Sequence, residues 1–211
     1  MAGRTEKKKR DSAATRESIV AAATVEFAAL GFAGARVDVI ADRAKANKRM
    51  IYAYFGDKEG LYREVLRQLF TRALELEAAA LAPAVDLRHK AEDIIRRYFW
   101  FLADNPEFVR LVGWEVLSEE KRALPVLLET AGAGLEALFD VVRQGIAAGI
   151  LRPDIDPAQV AHAVNVLCLG FFQQQSLLET LWHRELSSRA AREQFLDNLV
   201  TFVFDGVTRG A

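Results

Sequence analysis

The stretch 37–62, VDVIADRAKANKRMIYAYFGDKEGLY, decides how this chain folds. Val37, Ile40, Ala41 and Ala44 recur at helical spacing and predict a short helix over 37–44 with one apolar face. Asn47 is a good N-cap, because its side-chain oxygen can take a backbone N–H that the first turn leaves unpaired, and it predicts a second short helix over 48–54. Ile51 and, just past the helix end, Phe55 supply the apolar side, and Gly56-Asp57 breaks the chain. The turn between the two helices is Lys45-Ala46-Asn47. Two short helices joined by a turn of this length form a helix-turn-helix unit, which exposes the N-terminal face of its second helix. Here that face carries Lys48, Arg49, Met50, Tyr52 and Tyr54.

Those residue types suit a DNA duplex. Lys48 and Arg49 sit in the first turn of the second helix, from which side chains reach guanine edges or flanking phosphates. Met50 can touch a thymine methyl, and the hydroxyls of Tyr52 and Tyr54 can donate to phosphate oxygens. Lys58 opens the following helix, where a cation opposes the helix dipole; a phosphate bound at the same helix end would remove the objection. The bland alternative is a paired-helix corner of an ordinary helical protein, with the tyrosines as core aromatics whose hydroxyls reach water.

Charge is distributed accordingly. Residues 1–63 carry 13 Lys and Arg against 8 Asp and Glu, whereas residues 64–211 carry 15 against 21, so a net charge of −1 hides a basic first third. Arg4, Lys7, Lys8, Lys9 and Arg10 cluster in residues 1–14, a polar stretch without periodicity that reads as a flexible basic arm. Apolar residues make up 51% of the 211, enough for a packed core. The single cysteine, Cys168, excludes a disulfide framework and suits a reducing compartment. The most apolar run, 163–172, is too short to span a bilayer, and the N-terminus lacks the apolar core of a secretory signal. The expected location is the cytoplasm, with no membrane partner.

The rest of the chain reads as helix. Thr15 is a plausible N-cap for a helix over 16–30 that Gly31 stops. Asp57 caps a long helix running to about residue 80, and Pro83 punctuates it. Asp86 caps a helix ending near 104 at the Asn105-Pro106 break. Helices follow over 106–117 and 122–148, the latter with Pro125 in its first turn. A loop over 149–157 precedes the last two, 158–182 and 188–208. With about nine helices and no alternating run long enough for a strand, the fold class is all-α, short helices first and a bundle of longer ones after.

Residues 15–62 resemble the N-terminal domain of the TetR family of transcriptional regulators. The matching features are the helix end at Phe27 to Gly31, then Ile40-Ala41, Ala44, Lys48, Tyr52, Phe55, Lys58 and Leu61, in register without gaps. The resemblance implies a three-helix DNA-binding domain over 15–62, a larger helical effector-binding and dimerisation domain over 63–211, and a homodimer. It also implies DNA contacts by Lys48, Arg49, Tyr52 and Tyr54 and a phosphate contact by Lys58. Three positions depart from the family. Ala35-Arg36 stands where Thr or Ser usually opens the second helix, which loses a side-chain cap and offers Arg36 for phosphate. Lys45 stands where the turn usually has glycine, so it must adopt a positive φ if the turn is unchanged, and it joins the candidate DNA face. Arg49 replaces a small residue in the recognition helix.

Beyond residue 63 the resemblance is architectural, with a weak local likeness over 105–115. The aromatics Trp100, Phe101, Phe108 and Trp114 could line an apolar effector cavity between bundle helices, with Arg110, Glu115, Asn165 and Gln173 as polar anchors; as plain core they need no such role. The last two helices are apolar nearly all round and so need covering twice. Val164, Cys168, Phe171, Phe172, Phe195, Leu199 and Phe202 are the candidate dimer interface. The expected partners are a palindromic double-stranded DNA operator, a small apolar or aromatic effector, and a second copy of the chain. No catalytic residue, cofactor or metal is expected. His89, His162 and His183 are scattered, Glu179 and His183 lack a second matching pair, and there is no glycine-rich phosphate loop. The competing hypothesis is a ligand-binding or enzymatic bundle with an incidental basic N-terminus.

Overall fold

Ala, Glu, Lys and Arg dominate the first thirty residues and are good helix formers, with no proline to interrupt them. In the computed structural model, which describes residues 2–80, 86–119 and 121–208, helix α1 accordingly spans Ala2–Gly34. It starts well before the expected Thr15 cap, so the backbone of the basic arm is helical from Ala2. Gly31 stops the regular helix as expected. It adopts φ 66°, ψ −179°, and a last turn continues beyond the kink. The arm's cationic side chains and the expected break at Pro83 lie outside the described residues.

Nine further helices follow among the described residues: α2 (Val37–Arg43), α3 (Lys48–Phe55), α4 (Lys58–Ala80), α5 (Leu87–Asp104), α6 (Pro106–Leu117), α7 (Ala123–Thr130), α8 (Gly132–Ala147), α9 (Pro157–Trp182) and α10 (Arg189–Val207). The caps expected at Asn47, Asp57 and Asp86 form, and Asp156 and Ser188 supply two that were not expected; each accepts a backbone N–H from the first turn of the helix it opens. One expected element divides. The helix predicted over 122–148 breaks at Ala131 into α7 and α8, where Gly132 and Gly134 lower helix propensity at the start of α8. The only strand-like pairing among the described residues is an isolated bridge between Leu151 and Thr208.

Packing groups the helices into two compact units, Met1–Phe70 with Arg110–Glu129, and Thr71–Val109 with Thr130–Ala211. The division passes through α4 and α6 and returns most of α6 and nearly all of α7 to the N-terminal unit, whereas the sequence suggested a single boundary near residue 63.

The first unit is centred on Ile19, Phe27, Ile40, Ile51, Leu61, Tyr62, Val65 and Leu111, all buried. Phe27 and Phe32 both meet the Tyr62 ring edge-on, at centroid separations of 4.7 and 5.3 Å. The α1 stretch Ser12–Gly34 is the one described segment long and apolar enough to cross a membrane. Its Ile19, Ala23 and Phe27 are fully buried in this core.

The second unit is built on aromatic rings. Phe171 stacks on Phe195 at 4.1 Å, and Phe99 lies 4.8 Å from Phe172 and 5.5 Å from Phe171. This corrects the expected interface. Cys168, Phe171 and Leu199 are buried in the protomer's own core, and Val164, Phe172 and Phe195 are half-buried. Period-3.6 patterning marks a face as apolar but does not say what covers it. Of the seven residues only Phe202, on α10, is strongly exposed, at 71%; the exposed large apolar side chains of α9 are Val166, Leu177, Leu181 and Trp182.

Candidate nucleic-acid interface

The exposed face of α3 is set by three local features. Asn47 accepts the Arg49 N–H at 2.9 Å and fixes the start of the helix. Ile51, with no accessible surface, pins the opposite side into the core. Lys45, at φ 51°, turns the chain out of α2, in the left-handed conformation that the missing glycine demanded. Lys48, Arg49 and Tyr52 are consequently exposed together, Met50 is half-buried beside them, and Lys45 is exposed at the turn. None of the three cations has a carboxylate partner among the described residues. A helix face with free cations, a phenol and a thioether, held rigid by its own cap and core, can hydrogen-bond base edges and phosphates without reordering.

The remaining expected contacts are engaged within the protein. Tyr54 is half-buried, its hydroxyl 3.0 Å from that of Ser12 on α1. Arg36 caps α2 with backbone only and pairs with Asp38 at 2.7 Å, a bond that raises its pKa; both side chains are exposed, so the pair can open toward a phosphate. The Lys58 ammonium lies 4.8 Å from the Phe32 ring centroid and 3.5 Å from the Ala33 carbonyl oxygen. Burial, and then the nearby Arg122 guanidinium, lower its pKa.

The eight candidate effector residues are not brought together. Phe101 and Phe108 are buried in the second unit with rings 5.2 Å apart, and Trp100 packs edge-on against Phe99 beneath the Arg189 guanidinium. Trp100 and Phe101 also border an open cleft of about 370 Å³ with Arg97, Asp104 and Asn105. Asn165 and Gln173 are exposed on α9, Asn165 accepting the Tyr98 hydroxyl.

Arg110, Trp114 and Glu115 belong to the first unit instead. Arg110 is exposed. The Trp114 indole donates to the Ala28 carbonyl, and its ring lies so close to Gly31 that a Cβ there would sit 2.9 Å from it. Glu115 is buried. One of its oxygens accepts the Tyr62 hydroxyl, and the other accepts the N–H groups of Arg122 and Ala123, so it caps α7 from α6. A buried carboxylate with three donors is satisfied and has no capacity to spare for an effector. Phe32, Tyr62 and Arg122 were not singled out from the sequence. Arg122 reads from the sequence only as the polar start of the helix expected over 122–148, and its place over the Phe32 ring depends on a contact across ninety positions of chain.

Residues 19–65 match the family described as bacterial regulatory proteins, tetR family, and residues 88–203 match the family described as tetracyclin repressor-like, C-terminal domain. The HTH-type transcriptional repressor NicS of Pseudomonas putida is 28% identical over 198 residues, covering 93% of this chain and 92% of that protein. The HTH-type transcriptional repressor SCO4008 of Streptomyces coelicolor is 40% identical over 116 residues, covering 55% and 57%. Among solved structures, SCO4942 of Streptomyces coelicolor superposes with a TM-score of 0.69 at 31% identity, covering 93% of this chain and 99% of that one.

Proposed function

The chain belongs to the TetR family of bacterial regulatory proteins, and from that premise we propose that it is a DNA-binding transcriptional repressor released from a palindromic operator by a small molecule. The observation that carries this is the exposed Lys48–Arg49–Tyr52 face of α3, held by the Asn47 cap and the buried Ile51. The residues expected at DNA are Arg36, Lys45, Lys48, Arg49, Met50, Tyr52, Tyr54 and Lys58. The names of the matched relatives, repressors of the helix-turn-helix type, support the same assignment.

Two copies act together. Leu177, Leu181 and Trp182 of α9 and Phe202 of α10 are more than half exposed, which supports a twofold contact built on these helices. Two reader helices so related call for half-sites about 34–36 Å apart, or a multiple. The effector is a small apolar or aromatic molecule held in the second unit, where Trp100 and Phe101 border the open cleft. The protein works in the cytoplasm, where its DNA lies.

The test is binding of the full-length protein to inverted repeats from the promoter region of its own gene, by fluorescence anisotropy at several salt concentrations. Tight binding to an inverted repeat that weakens log-linearly with salt is expected. Equal affinity for random duplex, or protection of one asymmetric half-site by a monomer, would count against a palindromic repressor.

A further inference from the structure

We propose that Arg122, carried at the start of α7, is a second operator-phosphate contact and forms with Lys58 a two-cation anion site around the Phe32 ring. This rests on the DNA-binding assignment above and extends it to a residue far from the helix-turn-helix in sequence. Phe32 has both cations against it. The Arg122 guanidinium carbon lies 3.8 Å from its centroid and the Lys58 ammonium 4.8 Å.

Neither cation has a carboxylate partner among the described residues, where the acidic groups near them in sequence are engaged elsewhere; Glu120 lies outside the described residues. Asp57 accepts the Gly60 N–H at 2.7 Å, Glu59 pairs with Arg63, Glu119 pairs with Lys121, and Glu115 takes the backbone of Arg122 rather than its guanidinium. The Arg122 Nε is buried with no hydrogen-bond partner among the described residues. Half-buried Arg96, by contrast, sits between Glu193 and Asp197, whereas Arg192, its Nε likewise unpartnered, lies over the Phe172 ring and donates to Gln175.

Two like charges at one ring, with no counterion among the described residues, repel each other, and burial adds to the cost; the lowered pKa of Lys58 has both causes. An anion between them removes both penalties. A DNA phosphate is the anion this position favours. Lys58 follows α3 after only the Gly56-Asp57 turn, so a duplex read by Lys48 and Arg49 brings its backbone to the start of α4. Because Glu115 holds the Arg122 backbone, the position of α6 sets whether Arg122 reaches that backbone.

Salt dependence of operator binding by the full-length protein separates a phosphate contact from a structural one. Arg122→Gln and Lys58→Gln are each expected to lower the log–log salt slope by about one per subunit, and the double variant by about two. Arg122→Lys should restore the slope, and the preferred operator sequence should not change. Weaker binding with an unchanged slope would make Arg122 structural and overturn the proposal, as would no effect. In the wild-type protein, independent of any variant, the Arg122 Nε–H resonance should shift when operator is added and not when an equal concentration of inorganic phosphate is. An unmoved resonance would overturn the DNA contact, and an equal shift with free phosphate would assign the site to small anions instead. If the wild type itself shows no salt-dependent operator binding, the repressor assignment fails first, a result distinct from any of these.

Discussion

The Tyr62 hydroxyl donates to a Glu115 carboxylate oxygen at 2.8 Å, with both side chains buried. Through the same carboxylate, which also receives the first N–H groups of α7, three helices meet: α4 from the reader, and α6 and α7 from farther along the chain. Burial and the adjacent carboxylate both push the Tyr62 phenol above its ordinary range, so it stays a donor at every physiological pH.

Tyr62→Phe should lower the unfolding free energy by about 1.5–3 kcal/mol, the range for a hydrogen bond to a charged group. Glu115→Ala should cost more, because it strands a phenol and two backbone donors. The sign of the pH dependence follows from the raised phenol pKa. The stabilisation is complete below the unfolded value of about 10 and is lost as pH rises beyond it. Urea unfolding across that range should show wild type and Tyr62→Phe converging at high pH; parallel curves would mean the hydroxyl contributes nothing specific.

Arg49 and Lys58 should separate at the operator. Arg49 projects from the first turn of α3, where its planar fork can bond two acceptors of one guanine. Arg49→Ala should therefore relax preference at one position per half-site by about 1–3 kcal/mol, read from a randomised operator library. Uniform weakening across the library would make Arg49 a phosphate contact and leave sequence reading to Lys48, Met50 and Tyr52.

Phe202 and Phe171 should also part company. Phe202 is 71% exposed and Phe171 only 3%, although both were candidates for the same interface. Phe202→Glu should yield folded monomers by sedimentation, with poor operator affinity. Phe171→Ala should instead lower protomer stability by about 3–5 kcal/mol, since it empties the stack on Phe195. A Phe202→Glu protein that remains dimeric would move the interface off this face.

The Cys168 thiol should be silent in the folded protein. It has no accessible surface, and burial pushes its pKa up to about 12. A colourimetric disulfide reagent at pH 8 should react only after denaturant is added. Prompt reaction of the native protein would show that the α9 core opens readily.

What the sequence determined by itself is local. Helix existence, the Asn47, Asp57 and Asp86 caps, the positive φ of Lys45 and the basic face of α3 follow from neighbours within one or two turns, because capping, turn chemistry and hydrophobic period act over that range. The tertiary structure decided what each apolar or polar side chain meets. Glu115 and Trp114 read equally well as cavity wall or as core; only packing shows that the one caps α7 under Tyr62 and the other closes on Gly31. Phe171 and Phe202 belong to helices of the same character, and which of them faces inward depends on whether α5 brings Phe99 against that side. A contact across tens of residues leaves no periodic trace in the chain that makes it, since burial depends on the partner surface as much as on the residue.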